Sequence, residues 1–185
     1  MEGAGPFPRV AVVILFDGPL ARRLEGWRRT YDPAGAYRMP PHVPLAGPSD
    51  CPVPLAGPGG LERRLWRLCH DRPPFEIELL DLATTYPEGR LVYVDIGAGA
   101  EDLEELSEAL RDGVLSQAPA AAGPPRLVVA EPEDEEGARQ AAAQLVGLPV
   151  RVTRLIDRVN LLVEYPDGSW YMRDFFTLDR AVARA

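Results

Sequence analysis

The chain has 185 residues, of which 46% are hydrophobic and 26% are charged, and its formal net charge is −8. These values are typical of a globular domain, and an acidic chain does not attract nucleic acid by its bulk field. No apolar run approaches the ~20 residues of a membrane span, and the N-terminus lacks the pattern of a secretory leader. We therefore expect a cytoplasmic protein that does not associate with membranes.

Few residues suggest a metal or cofactor site. Cys51 and Cys69 are the only cysteines and do not form a CxxC pair, so we expect two buried thiols, with a disulfide as the alternative. No metal and no cofactor are predicted. The chain has no lysine. Several of its arginines are expected on solvated helix faces, namely Arg22, Arg23, Arg28, Arg29, Arg63, Arg64 and Arg67.

The first half of the chain predicts a strand, a helix and a second strand. RVAVVILF, residues 9–16, has the length of a buried strand. Residues 17–30 show helical spacing. Three apolar residues share one face of that helix: Leu20, Leu24 and Trp27. A loop then leads to the nonapeptide PPHVPLAGP, which begins at Pro40 and opens the second strand.

The elements that follow repeat this order. A helix over residues 59–71 precedes a hairpin whose strands, 75–85 and 90–96, are joined by the tight turn YPEG. The strand 90–96 then begins a second series, with a helix over 100–115 and the nonapeptide PPRLVVAEP from Pro124. A helix over 135–147 and a second hairpin, with strands 152–164 and 169–178 around the turn YPDG, complete it.

The shared order indicates an internal duplication. We predict an α+β fold of two similar lobes related by a pseudo-twofold axis, with two mainly antiparallel sheets and outer helices around a central cleft. Each lobe presents one PPx strand to that cleft, and the two YP(D/E)G turns occupy equivalent places. Residues 1–185 are expected to form this single bilobal domain.

The duplicated layout, with PPHVPL ahead of a helix and a YP(D/E)G hairpin, resembles the two-histidine (2H) phosphoesterase superfamily. That superfamily includes 2′-5′ RNA ligase-like proteins and RNA 2′,3′-cyclic phosphodiesterases, and its members have two His-x-Thr/Ser-x motifs in a bilobal α+β fold. The resemblance implies that one imidazole takes a proton while the other donates one to the leaving oxygen.

Carrying the motifs over residue by residue leaves one signature residue of four. His42 matches the first histidine, whereas Pro44 occupies the first Thr/Ser position. Arg126 occupies the second histidine position and Val128 the second Thr/Ser position. Two further residues just before the first motif are candidates for the border of the cleft: Tyr37 and Arg38.

Arg126 cannot replace the missing imidazole, because a guanidinium with a pKa above ~12 is neither a base nor a proton donor at neutral pH. It can bind a phosphate oxygen, or it can be a cleft-edge cation that pairs with Glu131. His42 is a remnant of the catalytic site, or else a structural histidine.

Three functions remain open from the sequence. The resemblance implies a weakly active or inactive protein, expected as a monomer, that binds a phosphorylated nucleotide or an RNA end through His42 and Arg126. The first alternative is an active RNA 2′,3′-cyclic phosphodiesterase with His42 as its sole acid–base group. The second is a protein-interaction scaffold without a ligand, for which the sequence identifies no partner.

Overall fold

The computed structural model describes residues 7–113, 115–116 and 123–179. Within them, eight strands and five helices follow one another along the chain. The strands are β1 (Arg9–Leu15), β2 (His42–Asp50), β3 (Phe75–Thr84), β4 (Val92–Ile96), β5 (Arg126–Ala130), β6 (Pro149–Ile156), β7 (Arg158–Glu164) and β8 (Trp170–Thr177). The helices are α1 (Gly18–Tyr31), α2 (Pro33–Arg38), α3 (Leu61–His70), α4 (Ala100–Gly113) and α5 (Glu135–Leu145).

The strands form an antiparallel sheet in the order β6-β3-β4-β5-β2-β1-β7-β8. Strands β2 and β5, which carry the two nonapeptides, lie next to each other at its centre. A single register pair, His42 with Val128, joins them. The predicted α+β class is confirmed, and this junction, which we call the seam, links two four-stranded halves into one sheet.

Helices α1, α3, α4 and α5 cover one face of the sheet and bury its apolar side chains. Helix α1 packs on β5 and helix α4 packs on β2, so each lies against the central strand of the other half. Helix α3 packs against β8, and α5 against β3 and β4. Alternate residues of the strands point into this core, among them Val12, Val43 and Leu127, none of which is exposed.

The opposite face of the sheet, which we call the open face, carries a smaller apolar cluster. Ala11, Val13, Met39 and Leu162 form it, and Leu15 and Trp170 pack against them. Met39 directly follows α2, a helix that the sequence analysis treated as part of a loop. This short helix begins with proline at its first turn and is capped by the Asp32 side chain, which accepts a hydrogen bond from the Gly35 N–H group.

Two predictions about the hairpins are wrong. Residues 152–164 are not one strand, because Asp157 separates β6, which pairs with β3, from β7, which pairs with β1 and β8. The two YP(D/E)G turns are also not equivalent. The turn at 86–89 joins β3 to β4, which are the third and second strands outward from the seam in one half. The turn at 165–168 joins β7 to β8, which are the third and fourth strands in the other half. The internal duplication itself stays a prediction.

The described helices include none that is long and apolar enough to cross a membrane. Both cysteines are buried, and both are free thiols.

Candidate functional site

The register of the seam brings the four motif positions together on the open face. His42 lies directly opposite Val128, and directly paired residues of antiparallel strands point to the same side of a sheet. Residues two apart along a strand share a face, so Pro44 and Arg126 point to that side as well. His42 and Arg126 are therefore diagonal neighbours, at a typical backbone separation of ~7–8 Å.

The His42 ring is held by the chain immediately before it. Its Nδ1 atom is 2.9 Å from the carbonyl oxygen of Pro40. Because a carbonyl oxygen only accepts hydrogen bonds, Nδ1 carries the hydrogen in the neutral ring and Nε2 carries the lone pair. The structure thus places the atom that can act as a base or acceptor away from the Pro40 contact.

Burial lowers the pKa of His42 to about 4, although the side chain keeps partial contact with solvent. The nearby Arg28 cation lowers the pKa further, whereas the hydrogen bond to Pro40 raises it. His42 is consequently neutral at pH 7. In that state it can accept a proton or a hydrogen bond at Nε2, but it is not a proton donor to a leaving group.

Arg126 lies on the face of an aromatic ring. Its Cζ atom is 4.3 Å from the centroid of the Tyr93 ring, and Tyr93 is the register partner of Val128 in β4. The Arg126 Nε atom is buried and has no hydrogen-bond partner among the described residues. The proposed pair with Glu131 is not formed, and Arg126 makes no ion pair with any other carboxylate in the described part of the chain. Asp95, the register partner of Arg126 on β4, lies on the same face of the sheet but forms no ion pair with it.

The two remaining motif positions contribute shape only. Pro44 is the register partner of Val13, and Val128 lies between His42 and Tyr93. Neither side chain has a polar atom, and proline also lacks a backbone N–H group. The hydroxyls that the family motif would supply to a phosphate are therefore missing from both strands.

Two buried polar residues that the sequence analysis did not assign to the site connect the halves beside the seam. Arg28 donates from Nη1 to the Val129 carbonyl, 2.8 Å, and from Nη2 to the Gly35 carbonyl, 3.2 Å. The Asp32 carboxylate accepts from the backbone N–H groups of Gly35, 2.8 Å, and Glu131, 2.9 Å. The charged groups of Arg28 and Asp32 approach to 3.9 Å.

The prediction that Arg28 lies on a solvated helix face is wrong, since the residue is only 6% exposed. Burial lowers its pKa, and the Asp32 carboxylate opposes that shift. Arg28 lies in the last turn of α1 and Asp32 directly follows that helix, and their spacing of four residues is the signal that was present in the sequence. Local spacing cannot show that α1 packs on β5, which is the contact that buries the pair.

The structure places Tyr37 and Arg38 at the end of α2, and both are exposed. The Tyr37 hydroxyl donates to the Asp167 carboxylate at 3.3 Å, which connects α2 to the turn between β7 and β8. The role of these two residues at a ligand border stays a prediction. In the part of the chain that the structure describes, no group of three or more His, Cys, Asp or Glu residues could hold a metal ion.

Comparison with known proteins identifies the family. The family model described as the 2′-5′ RNA ligase superfamily matches residues 16–168. The chain belongs to this superfamily. The match spans both central strands and both hairpin turns, so the resemblance stated from the duplicated layout is confirmed.

Curated relatives of this family member cover most of the chain. A Geobacillus thermodenitrificans protein named "Putative phosphoesterase" is 28% identical over an alignment of 159 residues, and the alignment covers 83% of this chain and 87% of that protein. A Bacillus licheniformis protein with the same designation is 27% identical over 154 residues, 83% of this chain and 89% of its own length.

Solved structures share the fold at lower identity. Escherichia coli LigT complexed with 3′-AMP has a TM-score of 0.60 and 16% identity, covering 94% of this chain and 99% of LigT. LigT complexed with ATP has a TM-score of 0.59 and 17% identity, and the covered shares of the two chains are the same. A Thermus thermophilus protein has a TM-score of 0.60 and 18% identity, covering 92% of this chain and 97% of that protein.

Proposed function

We propose that this superfamily member binds a phosphorylated nucleotide or an RNA end at the seam and has weak or no phosphodiesterase activity. The observation that carries the proposal is the arrangement of Arg126. Its guanidinium shares the open face with His42, rests on the Tyr93 ring and lacks any carboxylate partner among the described residues. A half-buried guanidinium that forms no ion pair and has unused donors is suited to an anion such as phosphate.

The same geometry argues against efficient catalysis. A histidine whose pKa is about 4 is a weak base, and at pH 7 it has no proton to give to a leaving oxygen. Arg126 stays protonated and cannot share the proton transfers with His42. Each acid or base group typically contributes ~10²–10⁴-fold to the reaction rate. A site with one weak base and no acid is therefore expected to lose most of the rate of the family reaction.

The ligand class follows from the family and from the contacts. The LigT structures contain ATP or 3′-AMP, so nucleotides are the first ligands to test on this chain. In the proposed complex Arg126 donates to a phosphate oxygen. His42 accepts at Nε2 from a ribose hydroxyl or from a protonated phosphate oxygen.

Calorimetric titration with 3′-AMP and 2′,3′-cyclic AMP tests the proposal. Arg126→Ala is expected to weaken binding by about tenfold or more, since hydrogen bonds to charged groups contribute ~1.5–3 kcal/mol. The control Arg139→Ala removes an arginine from the exposed face of α5, where it pairs with Glu136, and is expected to bind like the wild type. Both variants change the net charge equally.

Hydrolysis is measured on the same samples. Rapid turnover of the cyclic nucleotide by the wild type would show an active phosphodiesterase and contradict the proposed loss of catalysis. Equal binding by Arg126→Ala and the wild type would contradict the assignment of Arg126 to the phosphate. Failure of the wild type to bind any nucleotide would favour the scaffold alternative.

A further inference from the structure

We propose that a groove next to His42 binds the base of the nucleotide whose phosphate lies at the seam. The groove lies between the end of β1, the start of β7 and the end of β6, and its cavity volume is about 390 Å³. We call it the end groove. The inference rests on the proposed function and adds a second contact region, which holds the base of the ligand rather than its phosphate.

The end groove adjoins the position of His42, although neither His42 nor Arg126 lines it. Leu15, which lines it, is the register partner of His42. Asn160 and Met172 also line it, and their register partners are Val13 and Leu162. All three lining residues therefore point to the open face, on the same side of the sheet as the His42 ring. A ligand held at His42 extends into the groove along this face.

Both halves of the sheet contribute to the end groove. Leu155 lies on β6, the outermost strand of one half, and Met172 lies on β8, the outermost strand of the other. The β6–β7 connection through Asp157 brings these edges to the same place. Leu155 is 59% exposed and Met172 is 54% exposed. Two large apolar side chains facing a groove of ligand size, within the usual ~300–1,000 Å³, indicate a surface that stacks on a flat group.

The charges of the end groove favour a neutral group over a second phosphate. Its arginines, Arg154 and Arg158, are balanced by Asp17 and Asp157, and Arg158 forms an ion pair with Asp157 at 3.0 Å. The phosphate site differs, because Arg126 there forms no ion pair with a described carboxylate, although Asp95 is its register partner. The phosphate is therefore attracted to the seam, and the uncharged part of the ligand remains for the groove.

One polar group suits the edge of a base. Asn160 is only 3% exposed, and its Nδ2 group donates to the Val13 carbonyl at 3.3 Å. Its Oδ1 atom accepts no hydrogen bond from a described residue. A free acceptor beside an apolar wall suits an amino or N–H group on the edge of a nucleobase.

The test compares a nucleotide with its base-free counterpart. AMP and ribose 5-phosphate are titrated into the wild type and into the double variant Leu155→Ala/Met172→Ala. Both side chains are more than half exposed, so the variant is expected to fold normally. The variant should weaken AMP binding by about fivefold or more, because it removes the apolar surface that the base would cover. Ribose 5-phosphate binding should stay within about twofold, because no groove contact with a base is lost.

Val146→Ala is the matched control, since Val146 is a 50% exposed apolar residue at the end of α5, away from the groove. Equal loss of both ligands in the double variant, or no loss of either, would overturn the groove assignment. If the wild type binds both ligands equally and Arg126→Ala abolishes both, the proposed phosphate site stands and the groove fails. If neither ligand binds the wild type, both proposals fail.

Discussion

Removing the Arg28 guanidinium is expected to destabilise the protein much more than removing its neighbour. Arg28→Met keeps much of the apolar length of the side chain but removes both of its hydrogen bonds, to Val129 and Gly35. It also leaves the Asp32 carboxylate, which is 3% exposed, without the cation 3.9 Å away. Breaking a buried ion pair from one side typically costs ~3–5 kcal/mol in the free energy of unfolding. We expect a loss of that size.

Urea denaturation followed by circular dichroism measures this loss, and Arg29→Met is the control. The Arg29 side chain is 76% exposed and pairs with Glu25 one helical turn away, 3.1 Å, so its removal should change the free energy of unfolding by less than ~0.5 kcal/mol. If the uncompensated carboxylate causes the loss, Asp32→Asn will cost less in the Arg28→Met background than in the wild type. Equal effects of Arg28→Met and Arg29→Met would refute the reasoning.

Two further predictions concern His42 in the candidate site and Gly47 in β2, at its contact with β1. In NMR titrations His42 should titrate near pH 4. In the unfolded chain the histidine pKa is ~6.5, so the unfolded state takes up that proton first. The free energy of unfolding should therefore fall by about 2 kcal/mol as the pH drops from ~6.5 to ~4. His42→Gln should remove this fall in the free energy of unfolding, whereas His70→Gln should keep it. Gly47 has φ +88°, and an added Cβ would lie 2.6 Å from the Val10 carbonyl oxygen. Gly47→Ala should therefore lower the free energy of unfolding by ~2 kcal/mol or more, measured by thermal or urea unfolding. Gly26→Ala in α1, where the added Cβ meets open space, should leave the free energy of unfolding unchanged or raise it. A His42 signal that titrates near 6.5, or a Gly47→Ala variant as stable as Gly26→Ala, would contradict the respective argument.

The order of elements could be predicted because the local patterns are strong. Leu20 and Leu24 are both buried in α1, as the helical spacing indicates, and the turns at 86–89 and 165–168 both join antiparallel strands. The resemblance located His42 and Arg126, which the register of the seam then places on one face. These features depend on short-range geometry or on a motif, and both can be inferred from the chain.

The features that were missed depend on contacts between distant segments. The break at Asp157 was visible only as a change in alternation. Ile156 is buried on the side of the core, and the next core-facing residues, Val159 and Leu161, are an odd number of positions later. A continuous strand would have kept the same parity. The burial of Arg28 was hidden because it depends on β5, which lies about a hundred residues further along the chain.

The position of β1 has a consequence for synthesis on the ribosome. Of the described strands, β1 is the first to be synthesised, yet one of its two neighbours in the sheet is β7, Arg158–Glu164. Until that segment is translated, the apolar strand beginning at Arg9 keeps one edge of backbone N–H and C=O groups unpaired. The apolar strand therefore stays half-paired until β7 has been synthesised, and the core that both strands line cannot close before that point.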